Sequence, residues 1–425
     1  MIRNEEQITL FDNGLAVFTH PDAGAAEESV HFALLQRDAV RSVLLVGGGA
    51  SGGAAEALKY PGLRVDCVEL DPAIIRLARK HLFGPARASL DDPRVRFFHA
   101  DGRSFLERSA GRYDAILLNL PEPATAQVNR YYTREFFLEV RKKLVPAGVF
   151  GFVVPSAENY IGEALGLFLS SLARTLREVF PEVLAVPGAN CVFLASEGPL
   201  AIDPARLSNA LARLGLETRQ VGPGTLPARL DPARVAYLAE KLDSPGAKVN
   251  RDLAPVSYYF HSLLWAGQFR GLDSAVLRAA GRVPGFWFLD LPLGLFALGL
   301  VWLAVSRPKR SAVRAVIPLA VMGFTSIVVE LVLFLVFQAH FGYVYGKIPL
   351  LLASFMAGLV LGALAARSRK GSGRAEIAAV QGGFVLLLFL VLASLPGREE
   401  KRSPSCSSPP SGCSAAGSSS LPTAG

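Results

Sequence analysis

The apolar run SVLLV (42–46) is followed at once by Gly47, Gly48, Gly49, Ala50, Ser51, Gly52 and Gly53. Glycines at 47, 49 and 52 make a GxGxxG spacing, which lets the backbone turn tightly and approach a ligand with no Cβ in the way. The motif gains meaning from a strand before it and a helix after it, whose first N–H groups are free. A second apolar run, RVDCVEL (64–70), carries Glu69 near its end, 22 positions after Gly47. A carboxylate there can accept hydrogen bonds from both hydroxyls of a ribose. A third run (95–100) leads into Asp101 and Gly102. An acid in that place can accept from an adenine amino group. Together the glycine turn, Glu69 and Asp101 fit an adenosyl ligand better than a dinucleotide. A fourth run (113–118) leads to Asn119 and then Glu122. Plainer readings stand beside these: Glu69 as a solvated acid, and Glu122 as a turn residue between Pro121 and Pro123. Tyr131 and Tyr132 can line a pocket or simply pack at a helix start.

Such residues need a scaffold that gathers strand ends at one edge. Strands are expected over 42–46, 64–70, 95–100, 113–118 and 149–154. Helices are expected from the glycine turn to Leu58, over 72–82, over 134–144 with Thr133 as N-cap, and over about 158–179. Strands separated by helices imply a parallel sheet covered on both faces. Runs 183–186 and 191–195, joined through Pro187 and Gly188, imply an antiparallel edge pair. The fold class is therefore α/β: a Rossmann-like, methyltransferase-type sheet, mostly parallel, plus C-terminal α-helical transmembrane segments. Residues 1–40 read as a short N-terminal β region and 41–200 as the adenosyl-binding domain. Residues 201–283 read as a small α/β appendage and linker, with a helix near 204–214, a strand near 217–221 and a helix over 232–242 capped by Asp231.

The 425 residues are 51% hydrophobic and 19% charged, below the roughly 25% charged of a soluble average. Full disorder is excluded. So is a disulfide scaffold, since four cysteines are sparse and none forms a CxxC pair. Cys67 and Cys191 lie in apolar runs and read as core hydrophobes, so no metal site is expected. The net charge of +8 suggests nucleic acid until its location is considered. Arg307, Lys309, Arg310 and Arg314, then Arg367, Arg369, Lys370 and Arg374, sit between long apolar runs as loop anchors of a membrane protein. No nucleic-acid partner is expected. The runs 286–305, 315–337, 348–366 and 375–395 each approach the ~20 residues of a membrane span, which gives four spans over 284–396. The first carries Asp290 and Pro292 and could instead be interfacial; Gly358 and Gly362 suit helix packing in the third. Glu330 lies mid-span, either as a functional acid or as a bundle-facing carboxyl. The N-terminal MIRNEEQ offers no apolar stretch for a cleavable signal, and 397–425 is a Ser/Pro-rich tail too polar to order itself.

The segments GGGASGGAAEALKY (47–60), VELDP (68–72), HADGRSFL (99–106), YDAILLNLPEP (113–123) and YYTREFF (131–137) resemble the spermidine synthase (polyamine aminopropyltransferase) family. MGFTSIVVELVLF (322–334) and ASFMAGLVLGALAAR (353–367) resemble bacterial membrane proteins fused to such a domain. The resemblance implies a donor, decarboxylated S-adenosylmethionine or S-adenosylmethionine itself, held by Gly47, Gly48, Gly49, Gly52, Glu69, Asp101 and Gly102. It implies an acceptor such as a diamine near Asn119, Glu122, Tyr131 and Tyr132, and a homodimer as the family's common assembly. It also implies helices ahead of the domain, so this chain is expected to be part of a longer architecture. Two positions depart from the pattern. Ala50 stands where the family has an Asp toward the donor's charged end, and Asn119 where it has an Asp that helps deprotonate the amine. A carboxamide cannot accept that proton; Glu122, at the family's second acidic position, can.

Three functions follow: a membrane-attached aminopropyltransferase, an S-adenosylmethionine-dependent methyltransferase, and a non-catalytic adenosyl sensor or transporter-associated domain, the last suggested by Glu330. Lys/Arg counts in the short loops alone place the soluble part outside. Adenosyl donors are cytosolic, which places it on the cytoplasmic side of a bacterial inner membrane.

Overall fold

The computed structural model describes residues 2–4, 7–12, 15–268 and 348–367, with a few isolated positions between 323 and 386. Strands β1 (Ile2–Asn4), β2 (Gln7–Asp12) and β3 (Leu15–His20) form an antiparallel sheet. Helix α1 (Ala23–Leu34) follows, capped by the Asp22 carboxylate. Then β4 (Ser42–Val46), β5 (Arg64–Glu69), β6 (Val95–His99) and β7 (Tyr113–Leu118) alternate with α2 (Gly53–Leu58), α3 (Pro72–His81), α4 (Gly84–Ser89) and α5 (Gly102–Arg108). Next come α6 (Ala126–Asn129), α7 (Arg134–Lys143), β8 (Leu144–Pro155), α8 (Glu163–Arg177), β9 (Glu182–Val186) and β10 (Asn190–Ser196). Helices α9 (Pro204–Leu214), α10 (Leu226–Arg229), α11 (Pro232–Leu242) and α12 (Val256–Gln268) follow.

The main sheet has the order β6-β5-β4-β7-β8-β10-β9. Its first five strands run parallel, and β10 pairs antiparallel with both β8 and β9. From β4 the chain winds outward to β5 and β6, then returns to place β7 on the other side. In open α/β sheets ligands bind at such a reversal, beyond the carboxyl ends of the strands, here those of β4 and β7.

The alternation of side chains along each strand builds two core layers. Leu44 and Val46 of β4, with Ile116 and Leu118 of β7, face a layer rich in phenylalanine that includes Phe136, Phe150, Phe152 and Phe168. Val43, Leu45, Ala115 and Leu117 face the opposite layer, beneath α1 and α2. Cys67 and Cys191 are buried free thiols, as their apolar surroundings in the chain suggested.

The structure departs from expectation in several places. Ala23–Leu34 is a helix inside the segment read as β. Residues 217–221 form no strand. Their backbone N–H groups, at Arg219, Gln220 and Val221, donate to the buried Glu27 carboxylate at 2.7–3.1 Å, which takes the place of a neighbouring strand. Among the described residues after 201, up to Gln268, the elements are helices and no strand forms. Helix α8 begins at Glu163, and the loop before it is tied by Ile161 N–H to the Tyr237 hydroxyl at 2.9 Å.

Among the described residues no helix is long and apolar enough to cross a membrane. The apolar runs 286–305, 315–337 and 375–395 fall largely outside the described residues, as does the tail. Of the third run, helix Ile348–Arg367 is described.

Candidate functional site

The register pairs Val46 with Val68 and with Leu118, and Glu69 with His99. Gly47, Glu69, Asp101 and Asn119 therefore emerge at one edge of the sheet. Gly47, Gly48 and Gly52 turn the chain with φ of 75°, 70° and 103°. The turn lies hard against the end of β7: a Cβ on Gly48 would stand 2.4 Å from that of Asn119. At Gly102 a Cβ would meet Val46 Cγ1 at 2.6 Å. Protein packing alone thus demands glycine at both positions, so the acids carry more of the functional argument than the glycines do. Gly49 and Ala50 form a short 3₁₀ turn with Ser51, and Ala50 is buried.

Glu69 ends β5. Burial pushes its carboxyl up to about 7, against the backbone N–H groups of Asp71 and Leu70, which favour the ionised form. Asp101 behaves in the opposite way. Its Oδ1 accepts Ser104 N–H at 3.0 Å and caps α5. Its Oδ2 accepts the Tyr131 hydroxyl at 2.8 Å and the Arg130 guanidinium. Burial raises Asp101, yet the Arg130 charge and these donors outweigh it and hold the carboxyl below its usual range. A carboxylate has about four acceptor positions, so by count one stays open to a further donor. Arg130 is 2% exposed, lies over the Tyr131 ring at 4.6 Å, and keeps a buried Nη1 with no partner. Nothing in NRYYT marked Arg130 as the counter-ion of Asp101.

Asn119 anchors its backbone N–H to the Val46 carbonyl at 2.9 Å, while its Nδ2 is buried with no partner. Glu122 lies in the following loop, its Oε1 3.3 Å from Nε2 of the buried His261 on α12. Tyr132 is fully buried, and its hydroxyl donates to the Pro121 carbonyl at 3.0 Å. Burial and then the Glu122 charge hold that hydroxyl far above its ordinary range. Tyr131, also buried, faces Asp101. The structure therefore places both tyrosines as braces, one on the acid after β6 and one on the loop after β7. Among the described residues no group of three or more His, Cys, Asp or Glu gathers as a metal site would.

A parallel sheet with acids at the ends of β5 and β6, around a glycine turn at the reversal of strand order, belongs to the Rossmann-like class of α/β folds. Residues 24–188 match the spermine/spermidine synthase domain. A polyamine aminopropyltransferase of Korarchaeum cryptofilum is 38% identical over 123 residues, 29% of this chain and 38% of the relative. Polyamine aminopropyltransferase 2 of Pseudomonas aeruginosa is 31% identical over 201 residues, 46% of this chain and 55% of the relative. The chain thus spans less than two thirds of the length of these curated relatives. A crystal structure of spermidine synthase in complex with the transition state analogue AdoDATO superposes with a TM-score of 0.46 at 23% identity, covering 54% of this chain and 79% of the other.

Proposed function

We propose that this domain binds decarboxylated S-adenosylmethionine and transfers its aminopropyl group to an amine such as a diamine. The observation that carries this is the gathering of Glu69, Asp101 and Glu122 beyond the ends of β5, β6 and β7, around the turn at Gly47–Gly52. Glu69 would hold the ribose and Asp101, with its open acceptor position, the adenine amino group. The acceptor nitrogen would attack the propyl carbon bonded to sulfur. That C–S bond breaks, methylthioadenosine leaves, and the amine's proton passes to a base. An alkylamine is mostly protonated near neutrality, with a pKa of about 10, so the base is essential. Asn119 cannot serve, and Glu122 can.

The test is amine-dependent release of methylthioadenosine by the full chain in detergent, with Glu69→Gln and Asp101→Ala as controls. Release that both controls lose supports the reading. Nucleoside binding without release, at any pH and with any amine in a panel, sinks it. A second reading, methyl transfer from S-adenosylmethionine, is favoured by Ala50 and by the unpartnered Asn119 amide. Methyl transfer needs alignment more than a strong base, and a site lacking those two carboxylates repels the donor's own carboxylate less.

The apolar runs after residue 284 support a membrane anchor, with the domain on the cytoplasmic face where adenosyl donors are made. Exposed apolar side chains along Ile348–Arg367, such as Leu352, Leu359 and Leu361, fit a lipid neighbour. Protease cleavage of residues 1–283 from outside intact cells would defeat that orientation.

A further inference from the structure

We infer that Glu122 and His261 form one proton-accepting pair at the amine end of the site, with His261 as the positioning residue behind Glu122. The inference rests on the aminopropyl-transfer reading for its chemistry and on geometry for its residues. His261 lies outside the matched span 24–188. It belongs to α12, a helix that the family segments in the sequence do not reach.

Position and exposure carry the argument. His261 Nε2 stands 3.3 Å from Glu122 Oε1; the imidazole side chain is 6% exposed and the Glu122 side chain 26%. The carboxylate is thus the open half of the pair, and the ring lies behind it. Phe168 of α8 meets the ring edge-on at 5.8 Å between centroids, and Trp265 lies at 6.4 Å. Among the described residues, groups that face the pair include the Tyr132 hydroxyl, held far above its ordinary range, and these two uncharged rings.

The two halves are brought together by a single buried network. Asn250 Nδ2 donates to the Asn129 side-chain oxygen at 3.0 Å and to the Tyr132 carbonyl at 2.8 Å. The same Asn129 oxygen accepts Tyr258 N–H, in the first turn of α12, at 3.2 Å. Asp252 is clamped by Arg103 at 2.7 Å and by the Thr133 hydroxyl at 2.7 Å. Tyr132, locked at its backbone by Asn250, reaches with its hydroxyl to the loop that carries Glu122. Helix α12 and the Glu122 loop are therefore indexed to each other through Tyr132.

The chemistry closes. The amine's N–H proton moves to Glu122, the freed lone pair attacks the propyl carbon, and the C–S bonding pair leaves on methylthioadenosine. The pair gains one positive charge, shared between carboxyl and imidazole.

The experiment uses the full chain in detergent, with His261→Gln, His261→Ala and Glu122→Gln. Expected is a 10- to 100-fold fall in kcat/KM for the amine in His261→Gln, with a displaced pH profile and unchanged nucleoside affinity. A wild-type pH profile in both His261 variants overturns the pair. Histidine ¹⁵N spectra supply a readout independent of turnover, His261 being identified by its loss in His261→Gln. Expected are a lower titration midpoint in Glu122→Gln, where the imidazolium loses its carboxylate, and a shift of the same signal on adding 1,4-diaminobutane. A midpoint unmoved by both also overturns the pair. Wild-type protein that releases no methylthioadenosine, yet shows both spectral shifts, retires the transfer reading and leaves the pair as an amine-binding site.

Discussion

Glu69 and Asp101 end neighbouring strands and are driven in opposite directions. Glu69 has burial with few donors, so its carboxyl is pushed up to about 7. Asp101 has Arg130, Ser104 N–H and Tyr131, so it is held low. Two consequences separate them. Raising an acid's pKa on folding makes the folded state bind the proton more tightly, so Glu69 contributes stability on the acid side that is lost as pH rises toward 7. Only the ionised form accepts from both ribose hydroxyls, so nucleoside affinity should rise through pH 7 in the wild type. Calorimetric titrations from pH 6 to 8 should show this rise, and Glu69→Gln should flatten it and weaken binding throughout. For Asp101 the sign reverses: its contribution is present above its ordinary range near 4 and is lost as pH falls through its lowered pKa. Asp101→Asn keeps an acceptor for the α5 cap but leaves Arg130 buried without a counter-charge. A loss of about 3–5 kcal/mol in urea unfolding is expected, the cost typical of breaking a buried pair from one side.

Helices and strands differ in how plainly the chain announced them. β4 and β7 were legible because both faces of a central strand are buried, so the run is apolar from end to end. Thr133 and Asp231 were legible as caps because a side-chain oxygen before a helix satisfies its first N–H groups locally. Residues 217–221 misled because their partner is Glu27, 192 positions from Arg219, and no pattern in the segment shows that. Helix α12, which carries His261, is held by polar contacts that periodicity does not display. Asn250→Ala removes donors to Asn129 and to the Tyr132 carbonyl. It should cost about 1–3 kcal/mol for the buried acceptor left unpaired, read by denaturant midpoint. The same variant should lower amine turnover more than nucleoside affinity, because only the Glu122 loop and α12 lose their common anchor.

At the scale of the whole molecule, attachment is the open physical question with a direct answer. If apolar runs hold the chain in a bilayer, detergent should release it and high salt or alkaline carbonate should not. If the Arg/Lys blocks alone held it to an anionic surface, salt would release it, because such attraction is screened within about a Debye length. Fractionation of membranes with these washes distinguishes the two.

The sequence by itself determined the strand ends, the glycine turn, and the presence of acids at 69, 101 and 122 with an amide at 119. Each of these is a local matter: an apolar run ends, a turn needs a residue without Cβ, and a carboxylate follows. What that carboxylate does was decided only by tertiary structure. Arg130 meets Asp101 from 29 residues away, and His261 reaches Glu122 from a helix beyond the matched domain. Both partners are set by how α6, α7 and α12 pack at the carboxyl edge of the sheet. Electrostatic pairing acts over a few ångströms of space, and spacing along a chain does not report it.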